Sequence, residues 1–197
     1  MTMKSGNIND IIICQDAIEL HPLRKTASGE LTKFEELFKE DLKKSRGFEF
    51  FYCVKETEAR YKKIHLNYPL FYGIILNETF IGYIGFSLSG ENEIELEIYL
   101  LQAYRNKGYA KIALKALLAE VTAGRLKVYE NNKIKTLIPK LIKADVRIDN
   151  KPSIALLESC GFKIPIGFIM GIISADDNRC EEDIEYTQYV YDISDSE

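Results

Sequence analysis

The sequence predicts an α+β chain built on a mixed, mostly antiparallel sheet with helices packed against it. Three observations carry this. Residues 71–101 contain three apolar runs separated by short polar turns, the signature of an antiparallel meander. After Gly108 the apolar period lengthens to that of a helix. A strand, this helix and a further strand at about 138–148 then form a crossover, and a right-handed crossover lays its two strands parallel.

In chain order, IIICQDAIEL at 11–20 predicts a first strand. Phe34, Leu37, Phe38 and Leu42 fall at helical spacing within the Lys-rich segment 24–48, and a second helical stretch runs from about Glu56 to Leu66. FYGIIL (71–76), the turn Asn77-Glu78-Thr79 and FIGYIGFSL (80–88) read as a hairpin. The turn SGEN (89–92) leads into EIELEIYLL (93–101), where Ile94, Leu96, Ile98 and Leu100 alternate with Glu95, Glu97 and Tyr99. In the helix at 108–121, Ala110, Leu114, Leu117, Leu118 and Val121 form one apolar face, with Lys107, Lys111 and Lys115 on the other. The polar stretch 122–137 before the next strand reads as a surface excursion or an interface. Asn150 suits an N-cap, Pro152 a first helical turn and Gly161 the left-handed end of a short helix. Strands at about 162–173 and 183–193 complete the sheet.

A length of 197 residues predicts one domain spanning 1–197. Lys+Arg 26 against Asp+Glu 30 leaves a net charge of −4, which disfavours nucleic acid and anionic membrane as partners. The longest apolar stretch, IPIGFIMGII at 164–173, is about half of what a spanning helix needs and is broken by Pro165, Gly167 and Gly171. The run Ile11–Ile13 is too short for a signal-peptide core, so the cytoplasm is the expected compartment. Cys14, Cys53, Cys160 and Cys180 are widely spaced, and neither His21 nor His65 lies beside them. No metal site is expected, and the cysteines read mostly as buried free thiols.

The chemistry concentrates in YLLQAYRNKGYAKIAL (99–114). A strand ends, a loop with Arg105, Lys107 and Gly108 turns, and a helix opens. The unpaired N–H groups of a helix start form an anion site, and Gly108 admits a phosphate close to the backbone. Equally, Gly108 can simply shape a tight turn, and spacing alone leaves both readings open. Neither a Walker loop nor a dinucleotide fingerprint is present.

Arg105-Asn106-Lys107-Gly108-Tyr109-Ala110 resembles the Q/R-x-x-G-x-G/A acetyl-CoA motif of the GNAT N-acetyltransferases. Asn150-Lys151-Pro152-Ser153 with LLESCGF (156–162) resembles the second signature of that family, and the subgroup of ribosomal-protein N-terminal acetyltransferases is the most similar. The resemblance implies a six- to seven-stranded sheet with helices on both faces and one parallel pair splayed for coenzyme A. It also implies acetyl-CoA as co-substrate, with no metal. The acceptor would be a protein N-terminus or a small-molecule amine, and the protein a monomer or homodimer. By the same resemblance, Arg105, Asn106, Lys107, Gly108, Tyr109 and Ala110 hold the pyrophosphate, while Leu100 and Gln102 pair their backbone with the pantetheine arm and Leu101 belongs to the same cofactor site. Asn150 and Ser153 would contact that arm, and Lys107, Lys111 or Lys151 attract the ribose phosphate.

Acyl transfer to an amine needs a base for the ammonium proton and a proton for the leaving thiolate. Glu95 and Glu97 lie two apart on one strand face and are the candidate bases. Glu95 matches a Glu common in the subgroup, whereas Glu97 stands where relatives usually carry Gly. Alternation on an amphipathic strand explains both just as simply, and a strand bulge there would shift their register. Leu157 occupies the position where many family members place a Tyr acid, so Ser153, Tyr186, Tyr189 or Tyr191 is left as the substitute.

Overall fold

Alternating side chains and two-residue turns fold the chain back on itself from its first strands onward. The computed structural model describes residues 12–22, 70–130, 133–168, 171–173 and 184–196. Strands β1 (Ile13–Gln15) and β2 (Ile18–Pro22) form a small hairpin, with Gln15 opposite Ile18. The single strand expected at 11–20 is therefore two. Asp16, with φ 54°, makes the break, because Asp tolerates the left-handed region a tight turn requires.

Strand β3 (Phe71–Leu76), β4 (Thr79–Gly90) and β5 (Glu93–Leu100) then form the expected meander. Helix α1 (Tyr109–Thr122) crosses to β8 (Leu141–Arg147), and helix α2 (Lys151–Ser159) leads to β9 (Gly171–Ile173) and β10 (Ile184–Asp192). The sheet order is β1-β2-β3-β4-β5-β8-β10-β9, eight strands of which only β5 and β8 run parallel. The segment 122–137, left open in the sequence, forms its own hairpin from β6 (Lys127–Glu130) and β7 (Lys133–Thr136). Leu126 and Leu137 close its base with a backbone hydrogen bond of 2.8 Å and bury their side chains in the core.

The strand expected across 162–173 is shorter. Lys163 makes a lone bridge to Val190, and regular pairing resumes only at β9. Pro165 lacks an N–H, and Gly167 turns at φ 83°. The helical stretches expected at 24–48 and 56–66 lie outside the described residues.

One face of the sheet carries the main apolar core. Tyr72, Ile84, Phe86, Ile94 and Ile142 pack there with Leu114, Leu117 and Val121 of α1 and Leu157 of α2. The opposite face of β3–β5 is also buried but is built differently, from Phe71, Tyr83, Tyr99 and the polar pair Ser87 and Glu97. No helix among the described residues is long and apolar enough to cross a membrane.

Gly85 permits the close approach of β3 to β4. A Cβ there would meet the Leu70 carbonyl oxygen at 2.6 Å and the Phe71 ring. Gly85→Ala should lower the urea midpoint, losing about 1–3 kcal/mol through forced backbone and ring displacement. An unchanged midpoint would mean that this contact is slack.

Candidate active site

The parallel ladder between β5 and β8 runs only through Glu93–Leu141, Ile94–Ile142 and Glu95–Lys143. Beyond it the two strands part. Leu101 donates its N–H to the Ile81 carbonyl on β4 at 2.9 Å, so by strand alternation Leu96, Ile98 and Leu100 direct their backbone toward β8. An extended chain entering this gap would meet a strand edge.

At the open end of the gap lies the start of α1. Gly108 is the N-cap, in the left-handed conformation at φ 83° and ψ −8°, and no side chain caps the helix. The Gly108 carbonyl accepts the N–H groups of Lys111 and Ile112 at 3.0 and 3.2 Å. No atom lies within 4 Å of where a Cβ at Gly108 would stand, so the space before the helix is open. Asn106 is also left-handed, at φ 60°. Lys107 turns its Nζ onto the Ala103 carbonyl at 2.8 Å, and Lys151 onto the Ile148 carbonyl at 3.0 Å. Arg105 folds back as well, donating Nε to the Leu100 carbonyl at 2.8 Å with its guanidinium 5.1 Å from the centre of the Tyr99 ring. Leu101 and Gln102 follow directly, Gln102 opening a short 3-10 turn to Tyr104.

Glu95 and Glu97 share the face opposite the main core, and their register is unbroken. The β4–β5 pairing runs without interruption from Leu88–Ile94 to Gly82–Leu100. The irregularities fall elsewhere, at Ile74/Ile75 in the β3–β4 pairing and at Leu88/Gly90. Glu97 is buried and accepts a hydrogen bond of 2.7 Å from the Tyr83 hydroxyl. Tyr83 in turn stacks on Tyr99, the centroids 6.0 Å apart. A continuous set of contacts thus links the loop before α1 to the Glu97 carboxylate.

Asn150 caps α2 as expected, its Oδ1 accepting the Ser153 N–H at 3.3 Å, which places both residues at the start of that helix. Leu157 is buried in the core. Of the tyrosines on β10, Tyr189 donates its hydroxyl to Glu158 Oε1 at 2.9 Å, and burial together with this bond raises its pKa. Tyr191 packs on Phe162, and Tyr186 lies against Gly171. Cys160 is a buried core thiol, and burial pushes its pKa up, whereas Cys14 is exposed. Cys53, Cys180 and His65 lie outside the described residues, and His21 pairs with Glu19 at 2.7 Å. Among the described residues no cluster of three His, Cys, Asp or Glu side chains forms.

Residues 19–163 match the acetyltransferase (GNAT) domain model. The chain belongs to the GNAT acetyltransferases. Members of this family transfer acetyl groups from acetyl-CoA, and this chain is an enzyme of that kind. No curated protein matches the sequence. Among solved structures, the fold is similar to a GNAT acetyltransferase from Bacillus anthracis, with TM-score 0.67 at 17% identity, covering 93% of this chain and 99% of the other. It is also similar to a Salmonella typhimurium acetyltransferase described as modifying the N-terminal serine of ribosomal protein L7/L12. That match has TM-score 0.65 at 13% identity and covers 92% of this chain and 99% of the other. RimL in complex with coenzyme A gives TM-score 0.66 at 13% identity, with 92% and 98% covered.

Sequence reasoning missed Tyr83 and Ser87. Their signal was present in the alternation of β4, where odd-numbered positions from Tyr83 to Ser87 share a face with Glu95 and Glu97 once the hairpin register is fixed.

Gly108→Ala and Gly108→Phe both bear the left-handed strain of about 1–2 kcal/mol. Only Phe fills the open space before α1. Calorimetry should show coenzyme A affinity at least tenfold weaker for Phe than for Ala. Equal affinities would remove the helix start from the binding site.

Proposed function

We propose that the protein is an acetyl-CoA-dependent N-acetyltransferase that moves the acetyl group to a primary amine by direct attack on the thioester. The acceptor is a protein N-terminal α-amine or a small cationic amine. One observation carries this reading: β5 and β8 part beside an uncapped helix start, with the buried carboxylate of Glu97 on the adjoining face.

In this reading the N–H groups at the start of α1, with the loop Arg105–Ala110, hold the diphosphate of coenzyme A through the positive end of the helix. The backbone of Leu100 and Gln102 lines the pantetheine arm, whereas Leu101, whose N–H goes to Ile81 and whose carbonyl accepts the Tyr104 N–H, does not pair with it; Asn150 and Ser153 approach the arm from the start of α2. Acetyl-CoA supplies the activated acyl group. Glu97 takes the ammonium proton, directly or through water, and Glu95 adds to the negative potential that draws a cation. Tyr83 fixes the Glu97 carboxylate by its hydrogen bond. The Arg105 side chain, turned toward Leu100 and Tyr99, braces the loop, so the contribution of this residue to the diphosphate comes from its backbone. The similarity to an enzyme described as modifying an N-terminal serine favours the protein acceptor, as the subgroup resemblance of the sequence does.

A second reading is a coenzyme A-binding module without transferase activity. The observation in its favour is Leu157, an apolar core side chain where family members place a Tyr acid. A thiol leaving group with a pKa of about 8.5, by analogy with cysteine, needs little protonation, and this weighs against the second reading.

Purified protein with acetyl-CoA and a panel of amines and peptides should release free thiol, and Glu97→Gln should lower kcat by about 10²- to 10⁴-fold while leaving coenzyme A affinity intact. Absence of thiol release across the panel, with acetyl-CoA bound, would establish the binding module instead. A Glu97→Gln enzyme at full rate would return the role of base to Glu95.

A further inference from the structure

Ser87 is the residue that the proposed chemistry leaves without a task. It lies on β4 directly opposite Glu95 on β5, on the face that also carries Glu97 and Tyr83. The residue is 2% exposed, yet its buried Oγ has no hydrogen-bond partner. A buried hydroxyl left unpaired costs free energy, and native structures rarely retain one without a use. The neighbouring groups are accounted for. Tyr83 donates to Glu97, and Lys143, which pairs with Glu95 across the parallel ladder, is bonded to Glu93 at 2.5 Å.

We infer that Ser87, together with Glu95 and Glu97, forms the subsite for the acceptor nitrogen, and that the acceptor enters as a primary ammonium ion. This rests on the reading above, in which the face bearing the two carboxylates is the acceptor side. The chemistry of the donor set selects the ligand. A primary ammonium presents three N–H donors and no acceptor, which two carboxylates and one hydroxyl oxygen match. Side chains directly opposite on antiparallel strands have Cβ atoms about 5 Å apart, so a single nitrogen between Ser87 and Glu95 reaches both. A hydroxyl or thiol acceptor presents one donor and no charge, and leaves most of this set unsatisfied. The subsite thereby selects primary amines over alcohols, and Ser87 is a binding residue whose hydroxyl counts only when the amine is present.

The test is calorimetric titration of the full chain saturated with coenzyme A. The probes are 1,4-diaminobutane and a hexapeptide with a free N-terminal amine, and the proteins are the wild type and the variants Ser87→Ala, Glu95→Gln and Glu97→Gln. The expected result is saturable binding of a probe by the wild type and weakening of about 10- to 100-fold in Ser87→Ala, the loss of one hydrogen bond to a charged group. Coenzyme A affinity and the urea midpoint should be unchanged in that variant. Three outcomes overturn the inference: wild-type protein that binds neither probe, a Ser87→Ala protein that binds them as the wild type does, or one that loses coenzyme A as well. Where Ser87→Ala is silent but the Gln variants weaken the amine, the acceptor face stands and only the assignment of Ser87 falls. Where all three are silent, the acceptor face falls too, whereas thiol release by the wild type tests the transferase activity separately.

Discussion

Two parallel strands that pair for three residues and then separate leave the longer strand with backbone groups directed at nothing in the sheet. That divergence organises the molecule. Another extended chain can satisfy those groups only by entering the gap, and in the proposed function the pantetheine arm is that chain. The crossover from β5 to β8 places the start of α1 at the open end of the same gap, so the positive end of the helix and the strand edge border one opening, and in the proposed function they act on one ligand. Gly108 makes this geometry accessible, because a left-handed turn delivers the chain from the strand into the helix without a side chain in front of the N–H groups.

The two faces of the sheet divide the labour. The face under α1 and α2 is packed with branched aliphatic and aromatic side chains and supplies apolar burial. The other face of β3–β5 buries a carboxylate and three hydroxyl-bearing side chains, those of Tyr83, Ser87 and Tyr99, together with the Phe71 ring. Burying Glu97 is tolerable because Tyr83 donates to it, and Tyr83 is held by stacking on Tyr99, over which Arg105 lies. The loop before α1 and the proposed acceptor subsite are therefore neighbours through direct contacts.

Much of this was legible in the residues. Period-two alternation at 93–101 and the change of period after Gly108 located β5 and α1 to within a residue or two, because burial on one face imposes those patterns. Asn150 and Pro152 marked the start of α2 through capping chemistry that acts locally. Cross-strand information was not legible. That Tyr83 meets Glu97 and Ser87 faces Glu95 depends on the β4–β5 register, which a turn and a pleat settle jointly. The turn at Asp16 was missed because the apolar residues on either side, Ile11–Ile13 and Ile18–Leu20, read as one run when only composition is weighed. The hairpin at 127–136 was missed because its strands are short and Lys-rich, a composition that imitates a loop.

That hairpin interrupts the crossover between α1 and β8, and among the described residues its two strands pair with each other in a sheet of their own above the Leu126–Leu137 clasp. Chain added at its tip is insulated by the clasp from the register of β8, so the hairpin is a natural point for grafting a fluorophore or an affinity handle.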